Sequence, residues 1–317
     1  MTAYDVIGDV HGHFDKLAAL FLKMGYTPKG DSFLPPSGRQ AIFVGDLIDR
    51  GPEQVKVLKA VRAMVEAGNA KMVMGNHEFN AIGYVTRDEY KDTGEFLRPN
   101  KFHHDKSIKN RSQHAQFLAQ VGEGSPQHKQ WISWFKTLPL YLHLGDIRMV
   151  HAWWDDALVR LVDEHYWDST GECISELFLL NSYGQENSWK VARETLTTGI
   201  EHPLPLGAFV SDKEGHHHPN LRIAAWRHNA KLMRDIAIIP GGELSLVGDL
   251  TIPAHIPLVE VTGPPIFFGH YWFSGSPVLE SPKVACLDWS AAAKGPLVAY
   301  RWDGEVELSN EKFVAAG

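Results

Sequence analysis

Three polar motifs, each directly after a short apolar run, constrain the fold of this chain most strongly. They are GDVHG from Gly8, GDLIDRG from Gly45 and GNHE from Gly75. Between them, apolar residues repeat with the i, i+3, i+4, i+7 spacing of amphipathic helices, and Gly25 and Gly68 follow the two repeats. The opening third is therefore predicted to run β-α-β-α-β, with a polar residue at the carboxyl end of each strand.

Further apolar runs extend the prediction to an α/β protein built on two sheets. The predicted buried strands are Tyr4–Ile7, Ala41–Val44, Lys71–Met74, Ile147–Val150 and Ile266–Phe268. A hairpin is expected within 139–150, and a three-stranded meander within 283–308. Because strands occur at both ends of the chain, we predict a sandwich of two mixed β-sheets flanked by helices.

Two polar stretches, at about 86–112 and 201–249, lack a clear repeat of either helix or strand. We interpret them as irregular insertions of the kind that form functional rims or lids. Neither is typical of an interdomain linker, so residues 1–317 are predicted to form a single domain. His103, His104 and His216–His218 lie in these stretches and are interpreted as solvated loop residues rather than as a metal site.

The composition limits the partners that this chain can have. Asp and Glu number 38 against 31 Lys and Arg, which gives a net charge of −7 with histidine neutral. A net acidic protein repels the phosphate backbone, so neither a long nucleic acid nor a membrane surface is expected as a partner. The sequence starts without leader-peptide features, no apolar run approaches a membrane span, and there are only two cysteines, so we expect a cytoplasmic protein.

The side chains of the three motifs suit a metal site. Carboxylate, imidazole and amide oxygen groups bind divalent transition metals, and a neighbouring glycine lets the backbone approach closely. A single Asp or Asn after a strand is more often a helix N-cap. Three motifs in order, with Asp9 and His11 in the first and Asn76 and His77 in the third, favour the metal site because chance rarely produces them together.

The ordered motifs, together with a later Val-His at His151 and a Gly-His at His270, resemble the calcineurin-like metallophosphoesterases. The resemblance is to their phosphoprotein-phosphatase branch, which includes symmetrical dinucleoside tetraphosphatases. It implies two divalent metal ions, with Mn²⁺ expected and Fe, Zn or Ni compatible with the same ligands. The implied ligands are Asp9 and His11 for the first ion, Asp46 for both ions, and Asn76, His151 and His270 for the second.

The resemblance also implies roles in catalysis and substrate binding. Arg50 would bind phosphate oxygens through its planar guanidinium, and Asn76 would also contact the substrate. His77 would protonate the leaving oxygen while Asp49 orients its ring. The branch uses a second phosphate-binding arginine before its last histidine, and Arg227 is the one that we predict. The arginines in that interval are Arg222, Arg227 and Arg234.

Together these roles imply a metal-dependent phosphatase, in which hydroxide held by two metal ions attacks a phosphomonoester or a dinucleoside polyphosphate anhydride. The expected substrate is a phosphorylated small molecule, a nucleotide or a phosphopeptide. The motifs do not choose among these, because Gly75-Asn76-His77-Glu78 is typical of protein phosphatases whereas His151-Ala152 is typical of dinucleoside tetraphosphatases.

Local charge is compatible with such a substrate despite the acidic composition. Two divalent ions with Asp9, Asp46 and Arg50 would give the pocket a charge of about +3. The alternative is a non-catalytic phosphate-sensing or scaffold protein that retains the fold. A protein of that class is expected to lose ligands or the general acid, and this chain keeps all of them.

Overall fold

The computed structural model describes residues 3–89, 95–100, 105–204, 209–211, 217–239 and 247–317. The strands are β1 (Ala3–Ile7), β2 (Thr27–Lys29), β3 (Ser32–Leu34), β4 (Arg39–Phe43), β5 (Ala70–Met72), β6 (Tyr141–His143), β7 (Arg148–Val150), β8 (Ile200–Pro203), β9 (Val210–Ser211), β10 (His217–His218), β11 (Asn220–Ile223), β12 (Ala237–Ile238), β13 (Ile266–Phe268), β14 (Val284–Cys286), β15 (Leu297–Trp302) and β16 (Phe313–Ala316). The helices are α1 (Phe14–Lys23), α2 (Gln54–Glu66), α3 (Asn76–Val85), α4 (Asp105–Gln113), α5 (Ala115–Val121), α6 (Pro126–Phe135), α7 (Asp156–His165), α8 (Glu176–Tyr183), α9 (Ser188–Thr198) and α10 (Met233–Ile236).

The larger sheet has the order β16-β15-β1-β4-β5 and carries the three motifs. β1, β4 and β5 are parallel, whereas β15 runs antiparallel to β1 and β16 antiparallel to β15. Ile7, Phe43 and Met72 end the three parallel strands and are neighbours in register. The motif loops therefore leave the sheet at one edge, as the predicted β-α-β-α-β order requires.

The second sheet has the order β14-β13-β7-β6 and positions the two later histidines. β13 is parallel to both of its neighbours, and β6 is antiparallel to β7. His151 directly follows β7, and His270 follows β13 after one glycine. Because β7 and β13 are parallel neighbours, both histidines lie at the same edge of this sheet.

The two sheets pack face to face, and the alternation of side chains along each strand separates two cores. Val6 of the first sheet and Phe267 of the second belong to the buried cluster between the sheets. Ile7, one residue further along β1, points to the other face and packs in the cluster that contains Leu17 of α1 and Leu58 of α2. The predicted sandwich of two mixed sheets flanked by helices is confirmed.

The two turn predictions have different outcomes. The hairpin within 139–150 is confirmed, because β6 and β7 pair antiparallel on either side of Gly145. The meander within 283–308 is wrong, since β14 pairs with β13 in the second sheet whereas β15 pairs with β1 in the first. The connection from Cys286 to Leu297 is too long for a hairpin turn and crosses between the sheets.

The stretch 201–249 contains more regular structure than its polar composition suggests. β8, β11 and β12 form a separate antiparallel sheet, which packs with α10 around buried apolar side chains such as Leu221, Ile223 and Met233. The interpretation of this stretch as irregular is therefore wrong where these elements occur, and for the stretch 86–112 it is wrong from Asp105 onward, where α4 begins. His103, His104 and His216 lie outside the described residues. No helix in the described ranges has the length and apolarity needed to span a membrane.

Candidate metal centre

The loops after the motif strands are held in an uncommon backbone conformation. His11, Asp46, Asp49, Arg50 and His270 all have positive φ, at 45°, 52°, 72°, 68° and 68°. For residues other than glycine, the left-handed region costs on the order of 1–3 kcal/mol each and is concentrated at functional sites. The fold thus stores strain where the sequence places its candidate ligands.

The Asp46 carboxylate is shared by two groups of candidate ligands. The first group is His11, Asp46 and His77, and the second is Asp46, His151 and His270. Within each group the ligand atoms lie within 4.8 Å of one another, and every member is buried. Asp46 Oδ2 lies 3.3 Å from His151 Nε2, 3.6 Å from His11 Nε2 and 3.8 Å from His77 Nε2. This arrangement is what a carboxylate that bridges two ions requires.

Asn76 completes the second group. Its Oδ1 lies 3.0 Å from His151 Nε2 and 3.0 Å from His270 Nδ1. Gly75, the preceding residue, allows Asp46 to approach, because a Cβ at Gly75 would lie 2.1 Å from Asp46 Oδ1. The structure therefore brings together the four residues that the sequence assigned to the second ion.

The remaining ring nitrogens of two histidines fix their tautomers. His11 Nδ1 lies 2.8 Å from the carbonyl oxygen of Ile48, and His151 Nδ1 lies 2.7 Å from that of Val44. Because a carbonyl only accepts, Nδ1 carries the proton in each ring and donates it. The Nε2 of each ring then faces Asp46 and is the nitrogen through which the ring would bind a metal ion; at His151 this nitrogen also donates to Asn76 Oδ1, so the ion would replace its proton.

Buried polar atoms without a hydrogen-bond partner mark the same place. Among the described residues these atoms include Asp9 Oδ1, His11 Nε2 and His270 Nε2. Buried polar atoms are almost always paired, and a missing ion is one accepted reason for an exception. The carboxylate, imidazole and amide set also matches the preferences of first-row divalent metals. These residues therefore fit a pair of divalent ions.

Asp9 is placed differently from its expected partner His11. The Asp9 Oδ2 atom accepts a hydrogen bond of 3.0 Å from the backbone N–H of His270, and Asp9 is not in the group that contains His11 and Asp46. Instead, His77 is the third member of that group. Burial raises the pKa of Asp9, and the carboxylates of Asp288 and Asp46 raise it further.

The charges around Asp46 favour its ionised form. Burial raises the pKa of Asp46, but His151 and His77 outweigh burial and hold that pKa well below its usual value. Burial lowers the pKa of His151, but Asp46 and Asp9 raise it to about 10. Burial lowers the pKa of His11 to about 3, so its ring is neutral at pH 7. His11 beside the ionised Asp46 is therefore already in the neutral state that metal binding needs, whereas a metal ion at His151 would have to displace the proton of that ring.

Glu78 ends the third motif and has a positioning role that the sequence analysis missed. Its buried carboxylate accepts hydrogen bonds from the backbone N–H groups of Asp46, Leu47, Ile48 and Gly75, at 2.9, 2.8, 3.3 and 3.0 Å. An acid in the first turn of a helix, three residues after the N-cap, is the sequence signal that could have identified it. Glu78 thereby ties the Asp46 loop to the start of α3.

His77 and Asp49 form the expected pair, and a second histidine joins them. His77 Nδ1 lies 2.5 Å from Asp49 Oδ2, and His114 Nδ1 lies 2.8 Å from the same oxygen. Burial raises the pKa of Asp49, but His114 and His77 outweigh it and lower that pKa to about 2. No motif marks His114, which lies next to a polar stretch, far from the three motifs along the chain.

Arg222, rather than the predicted Arg227, lies against the same tryptophan ring as Arg50. The guanidinium carbons of Arg50 and Arg222 lie 4.9 and 4.2 Å from the centre of the Trp272 ring. Arg222 also donates a hydrogen bond of 2.6 Å to the backbone oxygen of His270. Arg227 instead forms an ion pair of 2.8 Å with Glu280. The structure thus places Arg222, and not Arg227, against the ring that Arg50 contacts, and the substrate-binding role of Arg227 stays a prediction.

The strand pattern explains which arginine reaches the centre. Leu221 and Ile223 of β11 are buried in the core of the small sheet, so Arg222 between them points to the opposite face. Arg227 lies four residues beyond the end of β11, outside the strand. The alternation of polar and apolar residues along 220–223 was the sequence signal that could have identified Arg222.

Comparisons with known proteins identify sequence relatives of this chain. The sequence model of the calcineurin-like phosphoesterase family matches residues 4–253. The asymmetrical bis(5'-nucleosyl)-tetraphosphatase PrpE of Oceanobacillus iheyensis is 32% identical over 53% of this chain and 65% of its own length. The symmetrical bis(5'-nucleosyl)-tetraphosphatase of Photorhabdus laumondii is 26% identical over 99% of this chain and 98% of its own.

Solved structures are also similar. A cold-active protein-tyrosine phosphatase of a Shewanella species superposes with a TM-score of 0.48 at 16% identity, covering 100% of this chain and 81% of its own. The chain spans less than two thirds of the length of the asymmetrical relatives that it matches. Because the family match covers most of the sequence, the chain belongs to the calcineurin-like phosphoesterase family.

Proposed function

We propose that this chain is a metal-dependent hydrolase that cleaves a phosphoanhydride of a dinucleoside polyphosphate at the Asp46 centre. The observation that carries the proposal is the sharing of one buried carboxylate by two ligand groups, with His11 and His77 on one side and His151 and His270 on the other. Two-metal sites of this kind serve phosphoryl transfer to water.

Each ion would be held by a different set of residues. Asp46, Asn76, His151 and His270 would hold one ion. Asp46 and His11 would hold the other, with Asp9 as a further ligand through its Oδ1, which has no hydrogen-bond partner among the described residues, while His77 would serve as the proton donor instead of as a ligand. When bound, such ions make a coordinated water acidic enough to ionise near neutral pH and neutralise phosphoryl charge. We expect Mn²⁺ to serve, because carboxylate, imidazole and amide ligands accept this ion and metal availability selects among the ions that fit.

The side chains around the ions would bind and protonate the substrate. Arg50 and Arg222 would bind phosphate oxygens, since both are permanently charged and lie against the same Trp272 ring. His77 would donate the proton on Nε2 to the leaving oxygen, because its Nδ1 is engaged by Asp49. Asp49 would hold the ring in that orientation.

The choice of a dinucleoside polyphosphate rests on similarity. The bacterial relatives reported above carry the names of symmetrical and asymmetrical tetraphosphatases. A leaving nucleotide also suits a site with two arginines, because a polyphosphate presents several adjacent anionic groups. Phosphoserine, phosphothreonine and phosphotyrosine peptides are the competing substrates. We also propose a reducing compartment such as the cytoplasm, since Cys173 and Cys286 are free thiols.

The test is hydrolysis of diadenosine tetraphosphate by the metal-free protein before and after addition of Mn²⁺. We expect hydrolysis only with the metal, and the nucleotide products report whether cleavage is symmetrical. The same assay on phosphopeptides tests the competing substrates. A fully metal-loaded protein that hydrolyses only phosphopeptides would overturn the substrate, and one that hydrolyses no phosphorylated compound would overturn the whole proposal.

Two variants separate the centre from general effects on folding. Asp46→Asn removes the charge of the shared ligand and is expected to abolish Mn²⁺-dependent hydrolysis. Asp15→Asn removes an acidic side chain that is 69% exposed, and we expect it to retain full activity. Equal activity of the two variants would show that Asp46 does not hold the ions.

A further inference from the structure

We propose that His114 is a positioning residue that holds the Asp49 carboxylate, so that Asp49 in turn keeps His77 aimed at the leaving oxygen. This inference rests on the proposed function, in which His77 donates a proton. It adds a third member to the pair of Asp49 and His77.

The geometry around Asp49 carries the proposal. Asp49 is fully buried, and its Oδ2 lies 2.5 Å from His77 Nδ1 and 2.8 Å from His114 Nδ1. A carboxylate only accepts, so both ring nitrogens donate to this one oxygen. The His114 donor therefore fixes the rotation of the carboxylate about its Cβ–Cγ bond, and that rotation sets the direction of the His77 hydrogen bond.

The backbone of Asp49 is fixed independently of His114. Gln54 Oε1 accepts a hydrogen bond of 2.7 Å from the Asp49 N–H, and Gln54 Nε2 donates one of 3.1 Å to the Asp49 carbonyl. Gln54 thus holds the main chain, including its positive φ of 72°. Loss of His114 should consequently disturb the Asp49 side chain without moving the loop that carries Arg50.

His114 is itself held rigidly in place. Its side chain is 1% exposed, and its ring packs edge-on against Tyr84 with ring centres 5.6 Å apart. The Nε2 atom of the preceding residue, Gln113, is 3.4 Å from His77 Nδ1. Arg98 donates a hydrogen bond of 2.9 Å to Gln113 Oε1. The segment between α4 and α5, which is not part of the three motifs, therefore contacts both His77 and Asp49. A residue held this firmly is suited to orient another.

The test compares substrates whose leaving groups need a proton to different degrees. General acid catalysis contributes about 10²–10⁴-fold when the leaving group is poor, and far less when it is a stable anion. We would measure kcat and KM with Mn²⁺ for phenyl phosphate, a poor leaving group, and for 4-nitrophenyl phosphate, a good one. The ratio of the two kcat values reports proton donation rather than folding.

Two replacements of His114 provide a matched pair. His114→Asn keeps a donor near the position of Nδ1, whereas His114→Gln places its amide further from the backbone and cannot copy that donor. We expect His114→Gln to lower kcat for phenyl phosphate at least about tenfold more than for 4-nitrophenyl phosphate, with KM unchanged. His114→Asn should restore most of the lost kcat. His128→Gln is the control for replacing a buried histidine, because His128 contacts Gly124 and Phe117 rather than Asp49.

The outcomes separate this inference from the proposed function. If His114→Gln lowers kcat equally for both substrates, or if neither His114 variant changes it, His114 does not position the acid and the inference is overturned. If the wild-type protein with Mn²⁺ hydrolyses neither these phosphates nor diadenosine tetraphosphate, the proposed function is overturned. If it hydrolyses only diadenosine tetraphosphate, kcat for that substrate decides instead, and an unchanged kcat in His114→Gln overturns the inference. A selective loss in His114→Gln that His114→Asn restores supports the inference.

Discussion

A single methyl group at Gly75 is expected to disable the metal centre. The φ of Gly75 is −84°, which alanine adopts without strain, so only packing opposes the substitution. A Cβ there would lie 2.1 Å from Asp46 Oδ1 and 2.4 Å from the Asp46 nitrogen. Close carbon and oxygen atoms lie about 3.3–3.6 Å apart, so Asp46 must move by roughly 1 Å.

The size of the expected effect follows from that displacement. A misplacement of about 1 Å at a catalytic site costs about 10²-fold in rate. Forcing extra carbon into a packed site destabilises a protein by about 1–3 kcal/mol. We therefore expect Gly75→Ala to lower Mn²⁺-dependent kcat/KM at least about 100-fold, to weaken Mn²⁺ binding, and to reduce the free energy of unfolding in urea within that range.

The matched control is Gly184→Ala. The φ of Gly184 is −70°, and a Cβ there would lie 3.4 Å from the nearest atom, the backbone oxygen of Asn181. This variant should keep wild-type Mn²⁺ affinity and activity. A Gly75→Ala protein that binds Mn²⁺ and turns over substrate as well as Gly184→Ala would refute the reasoning. It would show that the close approach of Asp46 to Gly75 is not needed for metal binding or activity.

Three further outcomes are expected. Glu78→Ala leaves four buried N–H groups without their acceptor and should lower the unfolding free energy by at least about 3 kcal/mol; a loss below about 1 kcal/mol in urea unfolding would argue against its positioning role. Arg222→Ala should raise the KM for substrate by about tenfold or more, whereas Arg227→Ala should leave it unchanged. If steady-state kinetics show the reverse, Arg227 is the second phosphate-binding arginine, as the sequence predicted. Burial lowers the pKa of His114 in the folded protein. As the pH drops below about 6.5, the ring is therefore protonated in the unfolded chain before it is protonated in the folded protein. This difference should lower the free energy of unfolding by up to about 1.4 kcal/mol per pH unit. His114→Asn should remove that contribution from urea unfolding of the metal-free protein, and an unchanged pH dependence would contradict the assignment.

Much of the candidate centre could be predicted from the sequence because its information is local. Asp9, His11, Asp46 and Asn76 each lie within a few residues of a strand end and beside a glycine, and His77 directly follows Asn76. Parallel strands then bring these ends together at one edge. The sandwich was predictable for the same reason, because buried strands can be recognised in the sequence as short apolar runs.

The residues that sequence analysis missed depend on long-range packing. His114 contacts Asp49 across a separation of 65 positions, and nothing near it along the chain marks it as part of a site. Arg222 reaches the centre only because β11 pairs with β8 and turns its even positions outward. Likewise, the apolar strands β14 and β15 look alike in sequence, and only their partners decide that they belong to different sheets.

The central claim is that two divalent ions share Asp46, and calorimetric titration of Mn²⁺ into the metal-free protein tests it most directly. We expect two ions per chain for the wild-type protein, and loss of binding at both sites in Asp46→Asn, with Asp15→Asn unchanged. A wild-type stoichiometry of one or none, or an Asp46→Asn protein that still binds two ions, would contradict the claim.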